Sequence, residues 1–585
     1  MGDEKIQVVI DGKPIDVAAN VTVLQAARLA GVEIPTLCYH PDLPPTGSCR
    51  ICLVEIEGTR NLAASCVTPV SAGMKITTHT PRVLAARKTN MELLLSNHPQ
   101  DCLQCVRNRT CELQRLSERL GLRENRFTGE MTDYPADYST ESIVRDPNKC
   151  ILCRRCVTTC DLVQEVCALG LINRGFASKV APAGDQKLKD VACALCGQCI
   201  NVCPVGAIYE KDHTHQVWRA LNDTEKVVMV QTAPAIRVAL GEEFGLPSGS
   251  SVTGKMVASL RKLGFKYVFD TDFAADLTIM EEATELIERL KNGGKLPLIT
   301  SCSPGWIKFA EHFYPDLLEN LSTCKSPHEM FGALAKAYYA EKQSFDPKNI
   351  YVVSIMPCVA KKFEATRPEL SANGVPDVDA VLTTREFARM IREAGIDFAN
   401  LPDEDFDQPL GISSGAGVIF GTTGGVMEAA LRTAYVWVTG NDLPKIEFDA
   451  VRGSEGVREA TIPLADLNLH VAVAHSLGQT RKLLDKIMNG EAEYHFIEIM
   501  ACPGGCVGGG GQPYGTNQET RRKRAAALYS EDEAKTIRKS HENPAIKVIY
   551  DSYLGYPGSE KAHHLLHTHF HARERYSQTM NKMLK

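Results

Sequence analysis

Long apolar runs are missing from this chain, and so is a surplus of charge of one sign. No stretch approaches the twenty or so apolar residues that a bilayer-crossing helix needs. Lys and Arg number 65 against 71 Asp and Glu, a net charge of −6, which leaves no basic footprint for nucleic acid. The first residues, Met1-Gly-Asp-Glu-Lys, are acidic and pass into a strand-like run, so no secretory signal is expected and a cytoplasmic location is. Also absent is a GxGxxG run opening a βαβ unit, or a Walker A loop. Phe420-Gly-Thr-Thr-Gly-Gly lacks the Lys-Ser/Thr pair of a phosphate loop and reads better as tight packing beside the Val426 helix. Nothing signals a nicotinamide or flavin site. Apolar content of 44% with 23% charged residues is that of an ordinary globular protein, and 585 residues are too many for one core.

What the chain has in excess is cysteine. Of 21, sixteen lie between Cys38 and Cys203 in short-spaced groups. Without a secretory signal a disulfide framework is not expected, and such spacing suits metal clusters.

The organisation follows the cysteines. Residues 1–80 read as a small β-rich domain: Ile6 to Ile10 alternates, Asp11-Gly12 makes a hairpin turn, and Val23 to Ala30 is a helix stopped at Gly31. Residues 81–127 carry a helix that delivers His98 and three cysteines. Residues 140–210 hold an internal repeat. From 211 to 515 strand-like runs (Val227-Val-Met-Val, Tyr267-Val-Phe, Leu296 to Ile299, Ile350 to Ile355, Val378 to Leu382) alternate with helical ones, an α/β pattern. Residues 516–585 are helical, basic and His-rich.

Cys38, Cys49, Cys52 and Cys66 suit a [2Fe–2S] cluster in a variant loop, with a four-Cys zinc site as the alternative. His98, Cys102, Cys105 and Cys111 offer three thiolates and an imidazole, for zinc or for a [4Fe–4S] cluster of raised potential. Cys150, Cys153, Cys156, Cys160 and Cys193, Cys196, Cys199, Cys203 are two copies of the bacterial ferredoxin run, in which the fourth Cys ligates the other cluster. Cys203 is therefore assigned with Cys150, Cys153 and Cys156, and Cys160 with Cys193, Cys196 and Cys199. Cys167 is left over as a buried spare, and Cys324 as core. His563, His564, His567, His569 and His571 read as a solvated helix.

These clusters make an electron wire, which needs a chemical site at one end. Four segments are left to supply it: Thr232-Ala-Pro234-Ala, Thr300-Ser-Cys302-Ser303-Pro-Gly-Trp306, Met356-Pro-Cys358-Val-Ala-Lys361-Lys-Phe-Glu364 and Glu498-Ile-Met500-Ala-Cys502-Pro-Gly-Gly-Cys506. The last places two thiolates four residues apart among glycines, which suits close approach to a bulky inorganic group.

The last three segments resemble the signature segments of [FeFe] hydrogenases, and the likeness runs over nearly the whole chain. It is nearest to the catalytic-subunit type of the NADP-reducing, multi-subunit enzymes, and the clostridial single-chain type has the same cluster layout. The resemblance implies a multidomain α+β and α/β fold: ferredoxin-like cluster domains followed by a two-lobed α/β H-cluster domain, with a small-subunit-like tail. It implies one [2Fe–2S] cluster, three accessory [4Fe–4S] clusters and the H-cluster, a [4Fe–4S] cube joined to a two-iron azadithiolate unit bearing CO and CN⁻. Cys358, Cys502 and Cys506 match cube ligands, and Cys506 the one shared with the two-iron unit. Lys361 matches the cyanide partner. Pro234, Met356, Phe420 and Met500 match the apolar lining. Cys302, Glu282, Ser322, Glu285 and Arg289 match the proton relay. Without the resemblance, Glu282, Glu285 and Arg289 are one face of a helix with an ordinary i,i+4 ion pair.

One departure stands out. The family has two adjacent cysteines before the proline, and here they are Cys302 and Ser303. Either Ser303 ligates the cube as oxygen, or Cys302 moves in and Ser303 carries protons, or the cube has an open corner. The preferred placement is Cys302 near the two-iron unit. Expected partners are flavin- and NADP-binding and small iron–sulfur subunits, with H₂ and protons as reactants. The alternatives are a stand-alone ferredoxin-dependent hydrogenase, an electron-relay subunit like that of respiratory complex I, and a slow hydrogen sensor.

Overall fold

The computed structural model of the protein describes residues 5–372, 374–453, 456–465 and 467–576. The N-terminal alternation forms the hairpin Lys5–Ile10 and Lys13–Ala18, closed by Asp11 and Gly12, both at positive φ (50° and 82°) as a two-residue turn between twisted strands requires. Strands Lys75–Thr77, Leu53–Ile56 and Ala63–Ala64 complete a five-stranded sheet. The helix Val23–Leu29 starts in a capping box made by Thr22 and Gln25 and buries Val23, Leu24, Ala26 and Ala27. A second helix, Pro81–Leu95, opens with Thr80 as cap and Pro81 in its first turn, and leads to His98.

The cysteine repeat is a repeat of backbone as well as of sequence. Leu152 and Arg154 in the first loop, and Leu195 and Gly197 in the second, all take left-handed φ between 53° and 72°. Each loop thereby folds its amides inward: Leu152 N–H donates to Cys150 Sγ and Leu195 N–H to Cys193 Sγ, both at 3.4 Å.

From residue 227 two sheets form the lobes of the larger domain. The first is all parallel, in the order Tyr267–Asp270, Val227–Thr232, Ile350–Met356, Ala380–Thr383. In the second, Leu298–Ile299, Phe496–Met500 and Leu467–His475 run parallel and Val457–Leu464 is an antiparallel edge. The parallel strands are buried on both faces, which is why they read as unbroken apolar runs rather than as alternation. The 22-residue helix Thr271–Asn292 lies between the lobes, sending Phe273, Ala274 and Leu277 into one core and Ala275, Ile279 and Leu286 into another. The glycines after Phe420 serve packing: a Cβ on Gly425 would come within 1.8 Å of the Ile419 carbonyl. Among the described residues no helix is long and apolar enough to cross a membrane.

Candidate active site

All four signature segments leave the carboxyl ends of parallel strands. Pro234 follows Val227–Thr232, Cys358 follows Ile350–Met356, Cys302 follows Leu298–Ile299, and Cys502 follows Phe496–Met500. The ends of the two sheets thus meet at one crevice, where open α/β sheets hold their ligands. A cavity there is lined by Cys302, Ser303, Cys358, Cys502, Cys506 and Lys361, with Pro234, Met356, Phe420 and Met500 as its apolar wall. Within the second lobe the Cys302 and Cys502 segments are tied together beneath it: Ile499 N–H donates to Thr300 Oγ1 (3.2 Å), and buried Trp306 Nε1 to the Thr300 carbonyl (3.1 Å).

The donor set fits an iron–sulfur group. Three soft thiols and the Ser303 hydroxyl converge on one space. Burial pushes the Cys358, Cys502 and Cys506 thiols up, Cys506 to about 12, so they bind as thiolates only against a cation and release protons as they do. The loop hugs its surroundings too closely for any side chain: a Cβ on Gly505 would lie 2.6 Å from Thr423 N, and one on Gly509 2.2 Å from the Pro357 carbonyl oxygen. Ser303 Oγ accepts from Ala501 N–H at 3.2 Å, on the Cys502 side. Cys302 instead faces Glu282, Cys506 and Lys361, and burial raises its thiol well above the ordinary value.

Lys361 is buried, and its ammonium donates to the Cys302 carbonyl (3.2 Å) and to Glu364 Oε2 (2.6 Å). Burial opposes its charge, but Glu364 together with the Cys358 and Cys302 side chains outweighs burial and holds its pKa above the usual lysine value. Glu364 is in turn 2.6 Å from His328 Nε2, which also lies 3.0 Å from Glu329. His328 lines the cavity and is fixed by Ser354 Oγ (3.3 Å) and, through its carbonyl, by Gln231 (2.8 Å). Sequence reasoning missed His328 and Glu364 as site residues. Glu364, three residues beyond Lys361, had a helical spacing that could have flagged it; His328 had no local signal. Glu498 was also missed: its buried carboxylate accepts Gly424 N–H (2.6 Å) and Met427 N–H (2.7 Å) and anchors the helix Gly425–Thr439.

On the other side of Cys302 a carboxylate path leads outward. Glu282 is 2% exposed; burial pushes its carboxyl up to about 8, and Oε2 has no hydrogen-bond partner. Ser322 bonds Glu282 and donates to Glu285 Oε2 at 3.2 Å, and Arg289 Nη2 donates to Glu285 Oε1 at 2.6 Å.

The accessory cysteines gather as follows. Cys160, Cys193, Cys196 and Cys199 line one cavity, and Cys150, Cys153, Cys156 and Cys203 line the next. Cys196 also lines the cavity between the sheets. There the repeat is pressed onto the Cys502 loop: Gln198 Nε2 donates to the Gly508 carbonyl and Asn201 Nδ2 to that of Gly509, both at 2.9 Å. A third cavity is lined by His98, Cys102 and Cys111; Cys105 Sγ faces Gly206, where a Cβ would come within 2.8 Å. His98 is buried with no partner for Nδ1, and burial lowers it to about 4, leaving the neutral imidazole that a metal needs. In the N-terminal domain the Cys38 thiol contacts those of Cys49 and Cys66, and Cys52 contacts Cys66.

Two readings need correction. Cys167 is exposed rather than buried: it sits at φ 54°, and its thiol donates to Asp161 at 3.2 Å. The histidines do not share one solvated helix. The helix Glu560–Leu566 ends before His567, which turns into extended backbone and forms an isolated bridge with buried Cys324.

A buried cluster of cysteine thiols between two sheets, with cysteine cavities leading away on one side and carboxylates on the other, is that of an iron–sulfur oxidoreductase. Comparison with known proteins narrows the class. The domain model "Iron only hydrogenase large subunit, C-terminal domain" matches residues 226–510, and "Iron hydrogenase small subunit" matches 518–573. A 2Fe-2S iron-sulfur cluster binding domain matches 3–81. The iron-sulfur binding region of NADH-ubiquinone oxidoreductase-G matches 87–126, and the ferredoxin-like domain of NADH-quinone oxidoreductase subunit 3 matches 140–209. The chain is 53% identical to NADP-reducing hydrogenase subunit HndD of Solidesulfovibrio fructosivorans, over 97% of this chain and 99% of that one. It is 42% identical to iron hydrogenase 1 of Clostridium pasteurianum, over 96% and 99%. A solved structure of a variant of [FeFe]-hydrogenase HydA1 from Chlamydomonas reinhardtii superposes with a TM-score of 0.57 at 46% identity, covering 62% of this chain and 99% of that one. The chain belongs to the [FeFe] hydrogenases.

Proposed function

We propose that this chain is the H₂-activating subunit of a hetero-oligomeric complex that exchanges electrons with NADP(H) through a flavin-bearing partner. The observation that carries the reading is the single cavity at which three things meet: the thiols of Cys358, Cys502 and Cys506, the Cys196 edge of the ferredoxin repeat, and the Cys302 end of the carboxylate path. The coupling to NADP is supported by 53% identity along nearly the full length of an NADP-reducing hydrogenase subunit, and by the lack of a nucleotide motif in this chain.

When bound, the H-cluster supplies an open iron position at which H₂ is split or formed. The chain's own residues do the rest. Cys358, Cys502, Cys506 and Ser303 would hold the cube. Lys361, steadied by Glu364 and His328, would offer its ammonium to the cyanide ligands. Pro234, Met356, Phe420 and Met500 keep water away. Cys302 passes the proton to or from Glu282, whose raised pKa keeps it protonated near neutrality and ready to donate. Ser322, Glu285 and Arg289 carry the proton on to the surface. Cys160, Cys193, Cys196 and Cys199 would hold one cluster, Cys150, Cys153, Cys156 and Cys203 a second, His98, Cys102, Cys105 and Cys111 a third, and Cys38, Cys49, Cys52 and Cys66 a [2Fe–2S] cluster, and these groups would supply one-electron transfer.

The test is H₂-dependent reduction of NADP⁺ by the complex purified through a tag on this chain. The isolated, matured chain should oxidise H₂ with an artificial acceptor and leave NADP⁺ untouched. Purification as a lone chain that exchanges electrons with ferredoxin would move the reading to the stand-alone type.

A further inference from the structure

Four cysteine loops meet at one buried guanidinium that the function above leaves unused. Arg155 lies between Cys153 and Cys156, buried at the start of the short helix Arg155–Thr158. Its Nη1 and Nη2 each donate to one Glu112 carboxylate oxygen at 2.9 Å, a bidentate pair. Nη2 also donates to the Tyr39 carbonyl at 2.7 Å, and Nη1 to the Val202 carbonyl at 3.4 Å. Tyr39 follows Cys38, Glu112 follows Cys111, and Val202 precedes Cys203. One side chain in the first ferredoxin run thus reaches the neighbour of a ligand in each of three other loops. Further bonds run the same way: Thr46 Oγ1 donates to the Cys153 carbonyl at 3.3 Å, and Glu112 N–H to the Pro204 carbonyl at 3.0 Å. The guanidinium also faces the Cys153 and Cys203 thiols closely enough for charges to interact. Both belong to the set Cys150, Cys153, Cys156 and Cys203. A planar fork can serve several acceptors at once, where a lysine would be a single point charge.

We propose that Arg155 is a positioning residue for electron transfer: it fixes the Cys38 and Cys111 loops against the Cys150 set and makes the cluster of that set the favoured seat of an electron at their junction. This rests on the cluster assignments proposed above. A reduced cluster carries one more negative charge than an oxidised one. A fixed cation beside it, in a buried setting, favours the reduced form and so raises its potential. Glu112 works against this, since its carboxylate offsets part of the guanidinium's charge. The potential at the junction therefore follows the balance of the pair. Arg155 stays charged throughout the working pH range and takes up neither electron nor proton.

The test is a potentiometric titration of the full cluster-loaded chain, followed by electron paramagnetic resonance. The signal of the Cys150 set is identified as the one that Cys203→Ser alters. Arg155→Met removes the cation and keeps the stem; it should lower that midpoint by about tenfold or more in the one-electron equilibrium, ~59 mV. Glu112→Gln keeps the shape and leaves the cation unopposed, so it should raise the midpoint. The double variant should fall between the singles, and Arg155→Lys, which keeps the charge, should stay nearer the wild type than Arg155→Met. Opposed signs separate this from a merely structural role, in which loosened packing would shift both singles the same way. Midpoints unmoved in both singles, or moved in one direction, while Cys203→Ser alters the signal, would overturn the role of Arg155 and leave the cluster assignment standing. If Arg155→Met does not fold, Glu112→Gln decides alone: a raised midpoint supports the proposal, and an unmoved or lowered one overturns it. No signal altered by Cys203→Ser would instead remove the assignment on which the inference rests.

Discussion

Replacing Glu282 by Gln separates two properties that the wild type ties together. The carboxyl is buried, and burial pushes it from 4.5 up to about 8. That distance disfavours the ionised form by at most about 5 kcal/mol. Below pH 4.5 the folded and unfolded chains both hold the proton, and the residue has no effect on stability. From there to about 8 the unfolded carboxyl ionises and the folded one does not, so stability falls as pH rises. Above 8 the penalty is complete. Glu282→Gln removes it, so the variant's melting midpoint should gain on the wild type steadily from pH 5 to 8, by several degrees at the top of the range. Turnover should move the other way. Gln cannot pass the proton between Cys302 and Ser322, and loss of a positioned acid–base group lowers the rate about 10²- to 10⁴-fold. Calorimetry across pH and H₂ evolution with a reduced dye, on protein with wild-type infrared bands, read both. A variant within tenfold of wild-type activity would refute the role of Glu282 in the path. A constant midpoint difference from pH 5 to 8 would refute its raised pKa.

Glu364→Gln leaves the Lys361 ammonium buried without its carboxylate, which should destabilise the domain by about 3–5 kcal/mol and shift the cyanide infrared bands; thermal melts and spectra of the matured variant check both. Ser303→Cys should add a fourth thiolate to the cube and lower its potential, read as a shifted electron paramagnetic resonance signal; an unaltered signal would place residue 303 off the cube. Cys203→Ser should disturb the cluster of Cys150, Cys153 and Cys156 and spare that of Cys193, Cys196 and Cys199, as seen in the resonance spectrum of the reduced protein. His98→Cys exchanges a neutral ligand for an anionic one and should lower the midpoint of that cluster alone in a potentiometric titration.

The metal loops were legible in the sequence because their chemistry is local. A CxxCxxC run must wrap a cluster whatever surrounds it, and the same left-handed residues recur in both copies. The parallel strands were legible as apolar runs, and the Asp11-Gly12 hairpin as a turn between alternating segments. What stayed hidden depends on contacts made across long stretches of chain. His328 reaches Glu364 from 36 residues away, and His567 reaches Thr323 from 244. Neither has a spacing to announce it, and a histidine run near a chain end reads as solvated face. Cys167 was misread because one left-handed residue turns a thiol outward, and composition does not report φ.

The seam between the ferredoxin repeat and the Cys502 loop has no slack. A Cβ on Gly197 would come within 3.1 Å of Gly510 Cα and 2.4 Å of a Val359 methyl, and one apolar core runs from Leu37 across the repeat to Ala501. Tunnelling falls off steeply with separation, and here the separation is built in rather than reached by a swinging carrier. An electron passing from the repeat into the catalytic cavity would cross a fixed gap and await no moving module, so thickening the solvent should leave the rate of that step alone.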